Sequence, residues 1–473
     1  MKKTKIVATI GPATSSYETL SAIIREGVNV VRLNFSHGAH EDHASVIQTV
    51  RRINEESDMK VALLADLQGP KLRIGLVKDN GVELVDGKEI IITTKECEGT
   101  AERVSTNYEM FAQDVEPGEE VRLDDGKIQL KVKSTNKKDE VVCDILHGGI
   151  LSSRKGINLP NTKISLPCLT EKDLKDLDFA LDHDVDWIGL SFVRSAEDIT
   201  ELKEIIEKKK KHALVVAKIE KPEALEVIDD IIQETDALMV ARGDLGVEIP
   251  MQNVPLVQKM LIKKCKQNSK PVIVATQMME SMINSITPTR AEVNDVANAV
   301  LDGTDAVMLS GETSVGKFPV AVIQAMTKII DQIEQYDNVY YYETPPTDSP
   351  SDDRFISDSV CYNACRLSKR VKAQAISTMT FSGYTGFKVS SQRPKADIFV
   401  FTGNKKILTL MNLVWGVQAF YYDKMVSTDH TIADIKYILK KKGLVQDGNL
   451  IINIASMPIA EQGMSNMLKL SKA

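Results

Sequence analysis

Eight short apolar runs, most of them closing on a charged or hydroxyl residue, constrain the fold of this chain more than any other feature. They are Lys5–Ile10, Asn29–Asn34, Val61–Asp66, Trp187–Val193, Leu214–Ile219, Ala237–Arg242, Pro271–Thr276 and Ala306–Ser310. Read as parallel strands separated by helical stretches, they predict a TIM-type (β/α)8 barrel, in which the strand ends on one rim converge on a single pocket. Residues hundreds of positions apart then become neighbours, and the pocket can be written down from the sequence.

The spacing between runs also predicts the domain organisation. Neighbouring strands of a βα unit fall ~20 to 35 residues apart, but the third and fourth runs are separated by about 120. The intervening stretch alternates in short segments (Val82–Val85, Glu89–Thr93, Glu120–Leu123, Lys127–Val132, Glu140–Ile145) with Asp86-Gly87 and Asp125-Gly126 turns, so it reads as hairpins of a small all-β domain. It hangs from the pocket rim, as a lid would, with hinges near Gly69-Pro70 and Pro160–Pro167. Thr170 with Asp173 and Thr289 with Glu292 have capping-box spacing ahead of periodic helices. A polar, Pro-rich stretch at 343–353 marks a linker. Beyond it, runs at Ala375–Thr380, Asp397–Thr402, Val417–Tyr422 and Asn449–Ala455 alternate with helical patterns, as in an open parallel sheet. The expected division is a barrel from 1–69 and 167–342, a β-domain lid at 70–166, the linker, and a C-terminal α/β regulatory domain at 354–473.

Composition narrows the function classes. At 473 residues the chain exceeds one ordinary core. A formal charge of −7 and a pI near 5.7 argue against a surface made for nucleic acid or an anionic membrane. The apolar stretch after Lys2, Lys3 and Lys5 stops at Gly11-Pro12, too short for a signal or membrane segment, so a cytoplasmic location is expected. The six cysteines show no metal or redox spacing, and Cys361 and Cys365, four apart, read as small buried hydrophobes.

Lys218-Ile219-Glu220 and Arg242-Gly243-Asp244 close adjacent strands. Two carboxylates at neighbouring strand ends suit Mg²⁺, which takes one or two protein carboxylates and fills its octahedron with substrate and water. Lys218, two positions before Glu220, shares its face and places a cation beside the metal, and Gly243 permits a ligand to approach the backbone. Arg32, Asn34 and Ser36 share a face at the end of the second run, where arginine can fork onto a phosphoryl group. Asp66 ends the third run, ahead of Lys71 and Arg73; Thr276 ends the seventh, and Ser310 and Glu312 follow the eighth. Metal, cations and a hydroxyl around one rim point to phosphoryl or enolate chemistry, both of which develop anionic oxygen.

With these residues in place, the chain resembles pyruvate kinases. The stretches that carry the likeness are KIVATIGPAT at 5–14, RLNFSHG at 32–38, DLQGPKLRIG at 66–75, KGINLP at 155–160, SFVRS at 191–195, KIEKPEAL at 218–225, MVARGDLGVEIP at 239–250, ATQMMESM at 275–282 and the long block at 288–319, with SGYTG near 382. The resemblance implies transfer of the phosphoryl group of phosphoenolpyruvate to ADP, leaving an enolate that is protonated to pyruvate. It implies Glu220 and Asp244 as ligands of Mg²⁺ (or Mn²⁺), Arg32 and Lys218 on the moving phosphoryl group, Thr276 near the methylene carbon, and the Gly243 and Asp244 amides on the carboxylate. Asn34, His37, Arg73 and Lys155 would approach the nucleotide phosphates, and a homotetramer is implied as well.

Two departures from the family pattern carry expectations of their own. Relatives that need K⁺ hold it with Asn, Ser, Asp and a Thr carbonyl, a region matching Asn34, Ser36, Asp66 and Leu67 here. Leu67 stands in place of the Thr and Lys71 in place of a Glu, which resembles the K⁺-independent branch, so Lys71 is expected to replace the monovalent ion and K⁺ to be dispensable. In the last domain, Ser382, Gly383, Tyr384, Thr385 and Gly386 form a strand-to-helix loop suited to a phosphorylated effector, while its companion loop carries Glu461, which would repel a second phosphate. Another Mg²⁺-dependent barrel acting on pyruvate or phosphoenolpyruvate, such as an aldolase-like lyase, and a non-catalytic phosphometabolite sensor stand as rival readings; the inserted β-domain with its Arg73 disfavours the first and the intact Lys218, Glu220, Asp244 and Thr276 the second.

Overall fold

A computed structural model of the chain describes residues 2–57, 59–341, 345–346, 354–424, 427–458 and 464–473. Most of the 343–353 linker and Glu461–Gly463 of the companion loop therefore lie outside the described residues. Every one of the eight runs contains a strand: Lys5–Thr9, Val30–Asn34, Ala62–Asp66, Trp187–Leu190, Leu214–Ile219, Ala237–Ala241, Val272–Ala275 and Ala306–Leu309. All neighbours pair in parallel and the first pairs with both the second and the eighth, which closes the barrel. Only Leu214–Ile219 matches its run at both ends; the other seven strands are one to three residues shorter than read, and two of the trimmed ends carry expected site residues. Arg242 opens a seven-residue helix, Arg242–Glu248, and Thr276 lies past the last ladder bond with φ +76°. Both expected capping boxes are present, on helices Glu171–Asp182 and Arg290–Asp302.

The inserted stretch is all-β but is wired differently from the hairpin reading. Glu120–Leu123 and Ile128–Thr135 do form a hairpin, its turn held by positive φ at Asp124, Asp125 and Gly126. Val82–Leu84 and Glu89–Thr93 do not pair across Asp86-Gly87. The first joins Gly149–Leu151 in a two-stranded ribbon, and the second lies between Glu140–His147 and Arg103–Ser105 in a six-stranded sheet. A turn dipeptide reverses the chain; which strand then pairs is decided by burial, and the alternate residues Ile90 and Ile92 enter the insert's core beside Val141 and Cys143.

The C-terminal sheet contains the four expected parallel strands plus Met467–Lys472, an antiparallel edge strand too polar to stand out in sequence. Its core is continuous with the barrel interior: Val7, Leu64, Trp187 and Met308 from inside the barrel share one cluster with Ile398, Leu413 and Trp415. Cys361 and Cys365 are buried in that cluster, and burial pushes the Cys361 thiol up to about 12. The barrel floor is thus covered by the last domain, and the hollow lined by Lys71, Asp244 and Thr276 lies at the opposite rim. Among the described residues no helix is long and apolar enough to cross a membrane.

Candidate active site

At the open rim, four charged side chains from three strand ends form one buried chain. Arg32 donates from Nε to Asp66 Oδ2 at 2.6 Å, and from Nη1 to Thr9 Oγ1 at 2.8 Å. Lys218 Nζ lies 3.0 Å from Asp66 Oδ1 and 3.0 Å from Glu220 Oε1. Asp66 and Glu220 are almost fully buried, while Arg32 and Lys218 keep slightly more exposure. The two-residue strand period accounts for Lys218 and Glu220 sharing a side, and register does the rest: Arg32 pairs with Leu64 and Asn34 with Asp66, so the second and third strands end level.

Burial works against charge in all of these groups, and the partners decide the outcome. For Asp66 the burial penalty is outweighed by Arg32 and Lys218, which leaves its carboxyl below the usual range. For Lys218 the burial penalty is outweighed by Asp66 and Glu220, which holds it as an ammonium far above neutral pH. Glu220 is pushed up, first by burial and further by the nearby Asp244 carboxylate, with Lys218 opposing. Glu220 is therefore the member of the chain that lacks enough positive charge around it.

That shortage is what a divalent cation would relieve. Glu220 and Asp244 are hard oxygen donors within electrostatic reach of one another. No cluster of three or more His, Cys, Asp or Glu side chains suited to a metal exists among the described residues. A two-carboxylate donor set fits Mg²⁺, which keeps its other positions for waters and substrate, and does not fit an ion that demands an all-protein cage.

Gly243 and Thr276 are in contact. A Cβ on Gly243 would lie 2.6 Å from Thr276 Cγ2, so glycine is required there by the threonine as well as by any ligand. Arg242, read as a strand-end cation, turns away from the buried chain. Its guanidinium binds Asp295 through two bonds of 2.7 Å and the Thr276 carbonyl at 2.7 Å, which fixes the strained threonine in place. Lys71, Gly243, Asp244 and Thr276 line one hollow of about 860 Å³ between the rim and the insert, and Lys71 and Asp244 also face a narrower crevice beside Phe192.

The other sequence-expected residues are dispersed. Asn34 Oδ1 accepts from the Ser36 N–H at 3.2 Å, and Leu67 is buried with its N–H on the Gly189 carbonyl. His37 is exposed; partial burial, then Arg73, Lys71 and Arg32, depress its pKa. On the insert, Arg73 donates to the Arg154 carbonyl at 2.9 Å and Lys155 pairs with Asp124 at 2.8 Å, so both rest on partners within the insert rather than on the rim. Ser382 is exposed at the start of helix Tyr384–Ser391, whose N-cap Gly383 has φ +86°. Thr385 binds Thr378 within the sheet, the Tyr384 hydroxyl donates to Asp358 at 2.7 Å, and Gly386 is buried. The hollow there measures about 450 Å³ and is lined by Arg354, Thr380, Ser382, Thr385, Asp423 and Ser465 among others.

The insert reaches the rim at the short helix that follows the sixth strand. Arg122 donates to the Val247 carbonyl, and Asn158 Nδ2 donates to Glu248 Oε1 at 2.9 Å, the same oxygen that Lys221 holds at 2.8 Å. Its return segment is pinned by Arg194, which donates to the Ile164 and Leu166 carbonyls at 2.6 and 2.7 Å. Arg122, Arg194 and Lys221 were not singled out in sequence, since a cation that binds main-chain carbonyls or a remote carboxylate has no local signature.

Comparison with known proteins finds relatives over nearly the whole chain. Residues 1–323 match the family model described as the barrel domain of pyruvate kinase, and residues 358–471 match that of its alpha/beta domain. The chain is 42% identical over 467 residues to a pyruvate kinase of Mycobacterium intracellulare, covering 99% of this chain and 98% of that one. It is 43% identical over 474 residues to a pyruvate kinase of Staphylococcus aureus strain MRSA252, covering 99% of this chain and 80% of that one. A crystal structure of a pyruvate kinase from Cryptosporidium parvum superposes with a TM-score of 0.92 at 33% identity, covering 100% of this chain and 96% of that one.

Proposed function

The chain belongs to the pyruvate kinase family of phosphotransferases, and from that premise we propose that it transfers the phosphoryl group of phosphoenolpyruvate to ADP, with Mg²⁺ and without a need for K⁺. The observation that carries the site assignment is the buried Arg32–Asp66–Lys218–Glu220 chain at the rim opposite the last domain.

Arg32 and Lys218 hold the moving phosphoryl group. Asp66 bridges them, so two cations that would repel each other are kept a fixed distance apart and pointed at one anion. Lys218, kept charged by Asp66 and Glu220, also neutralises the enolate oxygen as the P–O bond breaks. Glu220 and Asp244 would hold Mg²⁺, which when bound would supply further neutralisation of anionic oxygen. The Gly243 and Asp244 amides, at the start of helix Arg242–Glu248, take the substrate carboxylate. Thr276, fixed through its carbonyl by Arg242, sits beside the methylene carbon on the protonation path.

On the nucleotide side, closure of the 70–166 lid brings Arg73 and Lys155 toward the phosphates, beside Asn34 and His37, and excludes water. This requires Lys155 to leave Asp124. Lys71 supplies, as a tethered ammonium, the charge that relatives take from K⁺. In the last domain the 382–386 loop takes a phosphorylated effector. The reaction is that of the last step of glycolysis, carried out in the cytoplasm by a homotetramer of three-domain subunits with the boundaries given above.

The test is turnover of phosphoenolpyruvate with ADP in a lactate-dehydrogenase-coupled assay, in a tetramethylammonium buffer, with Mg²⁺ and K⁺ varied one at a time. Full activity with Mg²⁺ alone is expected. Absence of turnover removes the assignment, and strong stimulation by K⁺ removes the role of Lys71.

A further inference from the structure

The fourth strand contributes no charged residue to the rim, yet the two residues that follow it touch both charged residues of the fifth. Ser191 Oγ accepts from Lys218 Nζ at 2.6 Å and donates its own proton to the Leu67 carbonyl at 2.6 Å. One residue later, the Phe192 N–H donates to Glu220 Oε2 at 2.8 Å. Ser191 is 1% exposed, so water does not substitute for either of its bonds.

We infer that Ser191 and the Phe192 N–H form a bracket that positions Lys218 and Glu220 for phosphoryl transfer, with Ser191 as a positioning residue acting through Lys218. The inference rests on the reading of Lys218 as the cation that meets the transferring group.

The chemistry of the hydroxyl supports this role. An ammonium has three protons; this one donates to Ser191 Oγ and forms ion pairs with Asp66 Oδ1 and Glu220 Oε1, each 3.0 Å away. Serine can donate or accept, but its single proton is engaged by the Leu67 carbonyl, so only lone pairs face Lys218. The hydroxyl thus fixes the direction of the ammonium without adding charge that would compete with a substrate anion. Were Glu220 engaged as a metal ligand, Ser191 and Asp66 would remain to hold Lys218 across the rim.

Phe192 completes the bracket through its backbone. Its φ is +55°, uncommon for an aromatic residue, and its N–H takes the far oxygen of Glu220, leaving Oε1 toward Lys218. Gly69 at the lid hinge leaves room for the turn: a Cβ there would lie 2.8 Å from Phe192 Cδ2 and 3.0 Å from Ser191 Cβ. Sequence reading placed SFVRS in the family pattern without giving these two residues a task. The clue available was a run, Trp187–Val193, that ends in the rim with nothing charged on it.

The experiment compares the full-length Ser191→Ala, Ser191→Cys and Lys218→Ala proteins, and the Ser191→Ala/Lys218→Ala pair, by steady-state kinetics with thermal unfolding as a check on folding. Ser191→Ala is expected to lower kcat about 10- to 100-fold, the loss of one hydrogen bond to a charged group. KM for ADP should stay within about twofold, and Ser191→Cys, with the volume kept and a weaker acceptor, should fall between the two. In the Lys218→Ala background Ser191→Ala should have no further effect, since its task is gone. If Lys218→Ala is inactive while Ser191→Ala keeps kcat within about twofold of the parent, the bracket is wrong and the site assignment survives. Equal losses from Ser191→Ala in both backgrounds would show a purely structural hydroxyl and also overturn it. If Lys218→Ala retains full activity, the underlying assignment of Lys218 has failed. Should Ser191→Ala not fold, the Ser191→Cys kcat decides by the same criteria.

Discussion

Replacing the buried Lys5 with methionine should stabilise the protein at neutral pH, and the gain should fade as the solution becomes alkaline. Lys5 opens the first barrel strand at the covered floor, where it is 4% exposed and its ammonium donates to the Val417 carbonyl of the last domain at 2.8 Å. Burial pulls its pKa from 10.5 down to about 8; Glu334 opposes this, and Lys3 adds to it. A base with a depressed folded pKa binds fewer protons folded than unfolded between those two values. Stability therefore rises with pH from about 8 to 10.5, and below about 8 the full penalty is present. For these two pKa values the penalty is about 3 kcal/mol at pH 7 and less than half of that at pH 9.5. Methionine fills most of the same space, removes the penalty, and forfeits a hydrogen bond to Val417 worth about 1.5 kcal/mol. The expected net gain is about 2 kcal/mol at pH 7 and about zero at pH 9.5. Calorimetric unfolding of both proteins at the two pH values measures this, and the difference between pH values cancels the hydrogen-bond allowance and the titration of other groups. A melting difference that is the same at both pH values, or a variant clearly less stable at pH 7, would refute the reasoning.

Other outcomes follow from the rim, the lid and the last domain. Converting Lys71 to Glu together with Leu67 to Thr should make turnover depend on K⁺, with stimulation of about tenfold or more, read in the coupled assay with and without the ion. Removing both lid contacts in an Arg122→Ala/Asn158→Ala variant deletes two hydrogen bonds of about 1 kcal/mol each. It should raise KM for ADP severalfold and speed proteolysis at the hinges, while an unchanged KM would mean that the lid does not close on this helix. Fructose 1,6-bisphosphate should be a poor effector compared with monophosphorylated sugars or AMP. Strong activation by the bisphosphate would show that Glu461 does not oppose a second phosphate.

The parts of the fold that were legible in sequence are those decided locally. Each barrel strand is an apolar run bounded by turn or capping signals, and Thr170 and Thr289 mark helix starts with their own side chains. Pairing within the insert was not legible, because the partner of Val82–Leu84 lies 65 or more residues away at Gly149–Leu151, and the Asp86-Gly87 turn offered a nearer, false one. At the rim, Lys218 and Glu220 could be placed together by strand period alone, and Asp66 could be put at the same level. That Asp66 bridges Arg32 and Lys218, and that Ser191 and Phe192 grip the next strand, depends on side-chain reach across register. No spacing rule encodes that.

The two ends of the barrel show why residue type is a weaker guide than residue count. Lys5 and Lys218 lie on barrel strands, both nearly devoid of water, and burial is the largest influence on each. Two carboxylates touch Lys218, at 3.0 Å each, and overcome burial, so the ammonium persists and can meet an anion. A carbonyl oxygen is the hydrogen-bond acceptor of Lys5, Glu334 is occupied by the Lys3 and Thr4 N–H groups, and a second lysine stands close by, so burial wins and the group is pushed toward neutrality. The same side chain is thus a firmly held cation at one mouth and, at the other, a cation kept only at a cost that titration toward about 8 removes. If Lys218 lost one carboxylate to a metal and had no neutral anchor, it would move toward the state of Lys5, and a hydroxyl locked into accepting is the partner that delays this without adding negative charge to the pocket.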